Sequence, residues 1–406
     1  MIDLHPYLIV QPLPVSDEPG LGLDLQSLLV ITLVAALTPL VVGLLNLKVV
    51  EVVLMLAAGA LLGPHGLAWI RIDDAVMLLS ELGLGFLFFS AGMELRPAAM
   101  GGRSGRLACG GWLASVLLAL VTASALHLSS LITDVLGIAI ALTSTALGTL
   151  LPMLRDRGEL EGRLGSYFMA AGGMGELGPI LAISVLLGAT SVPIAVLSLV
   201  VFALIVLMLA DLPQHLASPR MIQVLQEGQN SSAQIGLRLT LLLLVALLVI
   251  ANHFGLDLVL GAFVAGFILR RYLPARQETL LAAKVDGAAF GIFVPIFFIV
   301  SGANLDTGSI LADPLRTLLF LALLWVVRGS PQLLVYRGAI PDARERCRFS
   351  LLVSTALPMI VTVTTVETRA GLMQPANAAA LVGAGAISVL LFPWLASLLE
   401  RPRPST

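Results

Sequence analysis

One acidic residue, Glu176, lies in the middle of an apolar stretch long enough to cross a membrane. It falls within "AAGGMGELGPIL" (170–181), and the apolar or small residues around it extend from 164 to 187. A charge at the bilayer centre costs about 2.5–3.5 kcal/mol on insertion scales, and such charges mark ion and proton pathways. The sequence therefore predicts that Glu176 binds an ion or a proton.

A buried carboxyl group can hold a proton and a metal cation in turn. Loss of water favours its neutral form, whereas an approaching cation favours the ionised form. If the site faces the two sides of the membrane alternately, this competition exchanges a cation for a proton. Gly172, Gly173 and Gly175 are expected to allow neighbouring segments a close approach. The alternative is structural: a protonated Glu176 that hydrogen-bonds inside a packed bundle.

The composition is that of a membrane protein. Of 406 residues, 58% are hydrophobic and 12% charged, and the mean hydropathy is +0.99. Such a chain cannot cover its apolar surface with a polar exterior. The net charge of -2 gives no case for nucleic-acid binding, and two cysteines form neither a disulfide framework nor a metal cluster. The sequence contains no HExxH, GxSxG or Walker A motif, so no enzymatic activity is expected.

Thirteen membrane helices are predicted by the apolar segments of about 20 residues. Lys and Arg concentrate in the loops on one side of this arrangement, and Arg71, Arg316 and Arg369 lie on the other. Because basic loops stay in the cytoplasm, we expect the N-terminus outside and the C-terminus inside the plasma membrane of a prokaryote. The helices, numbered one to thirteen, cover 26–46, 49–63, 75–93, 104–127, 131–153, 164–187, 191–212, 234–253, 257–270, 284–302, 314–337, 349–369 and 376–399.

Three short motifs recur in the same order in both halves of the chain. The pairs are "AAGALL" (57–62) with "VAGFIL" (264–269), "SAGMEL" (90–95) with "VSGANL" (300–305), and "LTSTALGTLL" (142–151) with "LVSTALPMIV" (352–361). They predict two six-helix repeats. Helix seven adds one crossing between them, so their topology is inverted, as in many secondary transporters. The predicted segments are an extracytoplasmic tail (1–25), repeat one (26–187), helix seven with a cytoplasmic loop (188–232), repeat two (233–399) and a cytoplasmic tail (400–406).

The third motif pair predicts interruptions in helices five and twelve. Gly148 follows the first motif and Pro358 the second, and both residue types weaken a helix interior. Irregular backbone at membrane depth is tolerated where it lines an enclosed or watered cavity. Hard oxygen ligands for an alkali cation are then expected from backbone carbonyls and from the hydroxyls of Ser144, Thr145, Ser354 and Thr355.

Four segments carry a resemblance to a known family. The sequences "VVEVVLMLAAGALLGPHGL" (49–67), "ELGLGFLFFSAGMELR" (81–96), "LDLVLGAFVAGFILRR" (256–271) and "VPIFFIVSGANLD" (294–306) resemble monovalent cation/proton antiporters of the Kef type, within the sodium/proton exchanger superfamily. The resemblance implies a mobile core of helices four to six and eleven to thirteen, and a dimerising panel of helices one to three and eight to ten. It also implies that helices five and twelve cross where they are unwound, and that Glu176 binds the ion.

Two further positions, Gly175 and Arg328, can be compared with the residues that the family usually has there. The family usually has an aspartate at the position of Glu176, preceded by Asp, Asn or Gln, whereas this chain has Gly175 there. Arg328 matches a basic residue that pairs with a core carboxylate when no ion is bound. An arginine cannot release its proton at physiological pH, so Arg328 would act as a fixed counter-charge. The alternative is a structural arginine that binds backbone carbonyls.

The function expected from the sequence is exchange of Na+ or K+ for H+ by an elevator-like movement of the core against the panel. A single carboxylate with no second acid beside it predicts one cation per proton and thus electroneutral exchange. No cofactor is expected, and the expected partners are lipid, the transported ions and a second copy of the chain. Two alternatives remain: a proton-driven exporter of a small organic molecule, favoured by a site that Gly175 widens, and a non-transporting sensor on the same scaffold.

Overall fold

A computed structural model describes residues 19–44, 51–95, 100–156, 162–187, 191–216, 234–272 and 275–399. These residues form helices joined by turns. The C-terminal tail, most of the N-terminal tail and most of the cytoplasmic loop that were predicted from the sequence lie outside the described residues.

The helices follow the predicted order and are labelled α1 to α13, with a and b for the two halves of an interrupted helix. In the first half they are α1 (Pro19–Leu44), α2 (Glu51–Leu62), α3 (Asp74–Glu94), α4 (Gly102–Leu128), α5a (Val135–Leu142), α5b (Leu147–Asp156) and α6 (Arg163–Leu187). The last turn of α6, Ile183–Leu187, has π-helical hydrogen bonding. The connecting helix is α7 (Val192–Leu216).

The second half contains the helices that correspond to repeat two. They are α8 (Ile235–His253), α9 (Leu258–Tyr272), α10 (275–303), α11 (Pro314–Val335), α12a (Ala343–Val353), α12b (Pro358–Arg369) and α13 (Pro375–Leu398). Short π-helical stretches, Ala289–Phe293 and Leu324–Gly329, lie within α10 and α11. A six-residue helix, Thr307–Ala312, joins α10 to α11, and the Asp306 carboxylate caps it by accepting from the Ser309 amide.

Three helix starts lie six or more residues before the predicted ones. Helix α1 begins at Pro19 and α10 at Ala275, seven and nine residues before their predicted starts, and α12a begins at Ala343 instead of residue 349. The added turns of α10 and α12a contain charged residues, as in "ARQETLL" (275–281). A helix can extend past the hydrocarbon region into water, where its residues need not be apolar. A hydropathy window therefore detects only the apolar part of the helix and misses its first turns.

The outer surface of this bundle is apolar. Within the described residues, nine helices are long and apolar enough to cross a membrane. Exposed leucines follow one face of α1, and exposed leucines and valines follow faces of α4 and α8; they are Leu29, Leu33, Leu37, Leu40, Leu113, Leu117, Val121, Leu239, Leu242 and Val249. Exposed apolar area of this extent is what lipid covers. The chain is a multi-pass membrane protein, and thirteen remains the predicted number of crossings.

The helices pack in two groups. In one group, α2 packs against α10, and α3 packs against both α9 and α10. In the other, α4 packs against α5a and α6, α13 packs against α11 and α12a, and α12b packs against α5a. We call the first group the panel and the second the core. This is the grouping that the family resemblance implied; relative motion and dimerisation remain predictions.

Glycines of the repeated motifs hold the panel together through close backbone contacts. A Cβ atom on Gly59 of α2 would overlap the Ile299 carbonyl of α10, and one on Gly302 of α10 would overlap the Leu56 carbonyl of α2. The same reciprocal contact joins α3 to α9, where Gly92 lies against the Phe263 carbonyl and Gly266 against the Phe89 carbonyl. Because α2 corresponds to α9 and α3 to α10 in the predicted repeats, the two contacts occupy equivalent places.

Substitution of Gly302 by alanine is expected to destabilise the protein. The added methyl group would lie 2.9 Å from the Leu56 Cα atom and would also overlap the carbonyl of that residue, so α2 and α10 must separate. Overpacking of this kind costs about 1–3 kcal/mol. Thermal unfolding in detergent measures the effect. Gly110→Ala is the matched control, because this α4 glycine has nothing within 4 Å of an added Cβ atom; equal melting temperatures for both variants would contradict the prediction.

Candidate functional site

The two predicted interruptions are present and cross each other. Residues 143–146 separate α5a from α5b, and residues 354–357 separate α12a from α12b. The Ala146 amide donates to the Thr355 carbonyl at 2.7 Å, which joins the two segments by a backbone hydrogen bond. Non-helical backbone at this depth leaves peptide groups for other partners. The crossing thus creates a polar region inside the core.

Glu176 binds the beginning of α5b. Its Oε1 atom accepts hydrogen bonds from the Leu147 amide at 2.9 Å and from the Gly148 amide at 3.3 Å. The first amides of a helix have no partner within it and carry a partial positive charge, so they favour an anion. Only 6% of Glu176 is exposed, and no donor among the described residues reaches its buried Oε2 atom. One oxygen is therefore fixed, while the other is available to a proton or a cation.

Thr145 connects four elements of the core at the crossing. Its amide donates to the Gly175 carbonyl of α6 at 3.0 Å, and its hydroxyl donates to the Val353 carbonyl of α12a at 2.7 Å. The same hydroxyl accepts from Nε of Arg328 on α11 at 3.0 Å. A shift of α5, α6, α11 or α12 must therefore change a contact of Thr145.

Arg328 is fully buried in the core, with 0% of its surface exposed. Its Nη2 atom donates to the Ala171 carbonyl of α6 at 2.8 Å, in addition to the bond from Nε to Thr145. The structure therefore places the guanidinium on a carbonyl and a hydroxyl, which is the arrangement of the structural alternative. An ion pair of Arg328 with Glu176 is not among the contacts of the described residues.

The space beside Gly175 is occupied. A Cβ atom on Gly175 would lie 2.6 Å from Arg328 Nη2 and 2.7 Å from Thr145 Cβ, and would overlap the Thr145 hydroxyl. The idea that Gly175 widens the site is therefore wrong, because Arg328 and Thr145 take up the volume. Gly172 and Gly173 instead lie against the side chains of Leu147 and Leu95.

The other predicted hydroxyl ligands bond within their own helices. Ser144 donates to the Ala141 carbonyl and Ser354 to the Ser350 carbonyl, each at 2.7 Å, while Thr355 donates to Leu351 at 3.4 Å. All three residues are fully buried at the crossing. No described contact joins them to Glu176, so their role as cation ligands stays a prediction.

A second acid lies near Glu176, which corrects the expectation of a lone carboxylate. Glu94, at the end of α3, acts electrostatically on Glu176. A Cβ atom on Gly148, whose amide binds Glu176, would lie 3.7 Å from Oε2 of Glu94. The helix hydropathy pattern did not reveal this, because Glu94 ends the apolar segment and is brought to the crossing by tertiary packing. The sequence feature that could have indicated a role for Glu94 was its position in a repeated motif (90–95).

Two cavities lie between the panel and the core at the end of the bundle that contains Arg369. One has a volume of about 190 Å³ and is lined by Ser301, Asn304 and threonines of α12b; the other has about 90 Å³ and is lined by Glu81 and Asp257, among others. Arg369 of the core lines both, and its guanidinium donates to Glu81 of the panel at 3.1 Å. Both cavities thus lie along the core–panel boundary, and Glu176 lines neither of them.

Comparison with protein families identifies the chain. The family model described as "sodium/hydrogen exchanger, transmembrane" matches residues 30–397. The chain belongs to the sodium/hydrogen exchanger family. This is a family of transporters and not of enzymes, and the match covers both groups of helices as well as the crossing.

Individual relatives agree with this family. The glutathione-regulated potassium-efflux system protein KefC of Salmonella heidelberg (strain SL476) is 26% identical over 93% of this chain and 60% of its own length. KefC of Escherichia coli O81 (strain ED1a) is 24% identical over 94% of this chain and 61% of its own length. This exchanger chain thus spans about three-fifths of those relatives. The predicted resemblance to Kef-type antiporters is confirmed.

A solved structure has the same fold. The sodium proton antiporter MjNhaP1 from Methanocaldococcus jannaschii superposes with a TM-score of 0.66 at 17% identity, covering 92% of this chain and 98% of MjNhaP1. The predicted fold class, an all-helical membrane protein with the sodium/proton antiporter fold, is confirmed by this superposition.

Proposed function

We propose that this exchanger moves Na+ or K+ in one direction and H+ in the other, with Glu176 as the group for which they compete. The observation that carries the proposal is the geometry of its carboxylate: two amides of α5b hold Oε1, and Oε2 is buried without a donor among the described residues. A proton on Oε2 neutralises the group in its dry surroundings. A dehydrated alkali cation at the same oxygen needs the negative charge, so the two ligands exclude each other.

The residues around Glu176 would complete the cation site. Carbonyls of the interrupted segments and hydroxyls of Ser144, Thr145, Ser354 and Thr355 supply hard oxygen ligands, which suit alkali ions. Arg328 supplies a fixed positive charge to the same region of the core through its bonds to Thr145 and Ala171. Because the curated relatives are named potassium-efflux proteins, K+ is the first cation to test.

Alternating access follows from the division into two helix groups. Glu176, Thr145 and Arg328 all belong to the core, which contacts the panel across a boundary that contains cavities. Movement of the core along the panel would carry the site from one side of the membrane to the other, as an elevator does. We place the protein in a prokaryotic plasma membrane, with its N-terminus outside, and we propose that two copies associate through their panels.

One cation per proton is the proposed stoichiometry. Glu94 lies on the panel and would not travel with Glu176, so the moving unit still carries a single carboxylate at its ion site. In the proton-loaded and the cation-loaded state that site has the same charge. Exchange is therefore expected to be electroneutral.

Reconstitution tests this function. In proteoliposomes with an entrapped pH-sensitive dye, outward gradients of K+, Na+ or Li+ are expected to drive inward proton movement without a measurable current. A current that reverses at a potential set by unequal ion and proton numbers would contradict the stoichiometry. Proton movement driven by a small organic cation but by no alkali ion would replace the proposal with the exporter alternative, and absence of any exchange would support the sensor.

A further inference from the structure

Two buried carboxyl groups meet at the Arg369 end of the core, away from Glu176. Glu367, in the last turn of α12b, is 1% exposed, and Asp134, which precedes α5a, is 8% exposed. The Oδ1 atom of Asp134 caps α5a by accepting from the Gly137 amide at 2.8 Å. A Cβ atom on Gly137 would overlap Oδ2 of Asp134 and would lie 2.8 Å from Cγ of Glu367. The absence of a side chain on Gly137 thus lets the two acids come together.

The contact between these acids needs a proton. Their side chains approach each other beside Gly137 and interact electrostatically. Among the described residues, no N–H or O–H group donates to either oxygen of Glu367 or to Oδ2 of Asp134. Two ionised carboxylates offer only acceptors, and two like charges buried side by side cannot both be ionised without a large cost. One shared proton converts this repulsion into a charge-assisted hydrogen bond.

Among the described residues, no ion pair joins a basic residue to either acid. The helices that pack against this end of α12b are α5a and α13, and neither contains a charged side chain within its bounds. On α12b itself, the Arg369 guanidinium is directed to Glu81 and Met77 of α3. At the nearby end of α4, the His127 ring bonds to the Ile132 carbonyl at 3.1 Å.

We propose that Asp134 and Glu367 form a second proton-binding site, which clamps α5a to α12b at the Arg369 end of the core. While the proton is bound, it joins the outer halves of the two helices that cross at Thr145. When pH rises far enough to remove it, two adjacent buried charges push these halves apart. The clamp is thus closed at acidic pH and opens as the pH rises, on the side that the charge distribution predicts to be outside.

Thermal stability of the full chain tests the clamp independently of transport. We use the Glu176→Gln background, in which the proposed exchange site cannot titrate, and compare it with Glu176→Gln/Glu367→Gln between about pH 5 and about pH 8. A glutamine amide can donate permanently to Asp134, as the protonated Glu367 does. We expect the melting temperature of the background to fall with pH by about 2–4 °C more than that of the double variant.

The infrared spectrum supplies a direct signature. A protonated carboxyl group of the clamp should absorb in the Glu176→Gln protein at the acidic end of this pH range, and this band should be missing after Glu367→Gln. Equal pH dependence of melting in both proteins, or an unchanged carboxyl band, would overturn the proposal. If Glu367→Gln does not fold, Asp134→Asn makes the same test, because asparagine also caps a helix. Failure of both amides to fold would itself refute the idea that one neutral partner suffices.

Discussion

Replacement of Glu176 by glutamine is expected to abolish cation-driven proton movement and to leave the protein folded. Glutamine keeps an Oε1 atom that accepts from the Leu147 and Gly148 amides. Its amide nitrogen takes the place of Oε2, and it neither carries a negative charge nor exchanges a proton near neutral pH. Dye-detected exchange in proteoliposomes should therefore fall to the level of empty vesicles, while the melting temperature in detergent stays close to that of the unaltered protein.

Two companion variants separate charge from geometry. Glu176→Asp keeps the charge but shortens the side chain by one methylene, so part of the exchange should remain. Glu51→Gln removes an exposed acid at the start of α2 and should leave exchange unchanged. If Glu176→Gln exchanged ions at the full rate, Glu176 could not be the shared binding group.

Gly175→Ala is expected to lower the exchange rate by about tenfold or more, through a small displacement at the crossing. The added methyl group would occupy the space of Arg328 Nη2 and of the Thr145 hydroxyl. Thr145 also binds α6 and α12a. The methyl group would therefore displace the contacts of α11, of the interrupted segment of helix five and of α12a together. The strain should cost about 1–3 kcal/mol of stability, which thermal unfolding measures beside the transport assay.

Gly173→Ala is the control for this variant. It lies two residues away on α6, and its added methyl group meets the end of the Leu95 side chain and approaches the Met100 sulfur at 3.6 Å. Such side-chain ends can move without displacing backbone. Comparable losses in both variants would mean that α6 tolerates no added volume at all, and that the position of Arg328 is not the reason for the defect.

Local sequence patterns predicted the parts of this fold that depend on local physics. Apolar runs located the helices, and Gly148 and Pro358 marked helices that are interrupted a few residues earlier, at 143–146 and 354–357. Glu176 could be singled out because an acid in a long apolar segment is costly to insert and is seldom kept without a function. The recurrence of "AAGALL" and "SAGMEL" indicated equivalent positions, and their glycines make equivalent contacts in the panel.

Tertiary packing determined what the sequence could not predict. The partner of Arg328 is a carbonyl on α6 rather than a carboxylate, and this depends on how α11 lies against Gly175. Glu94 and Glu367 stand at the ends of predicted helices, where an acid is usually solvated. Only the packing of α3 near the crossing and of α12b on α5a brings each of them beside another acid. Glu367 did lie within the predicted span 349–369. An acid inside a predicted membrane helix was therefore visible in the sequence, but the mean hydropathy of the segment does not single it out.

The groups that hold Glu176 are peptide amides, and this limits how its site can vary. Side-chain substitutions at Leu147 or Gly148 leave both N–H groups in place, except for proline, which has none. The hydrogen bonds that hold Glu176 thus depend on the backbone conformation, and most point mutations leave them in place. A change in how Glu176 is held would have to come from the length of the acid or from a bend in the chain around it.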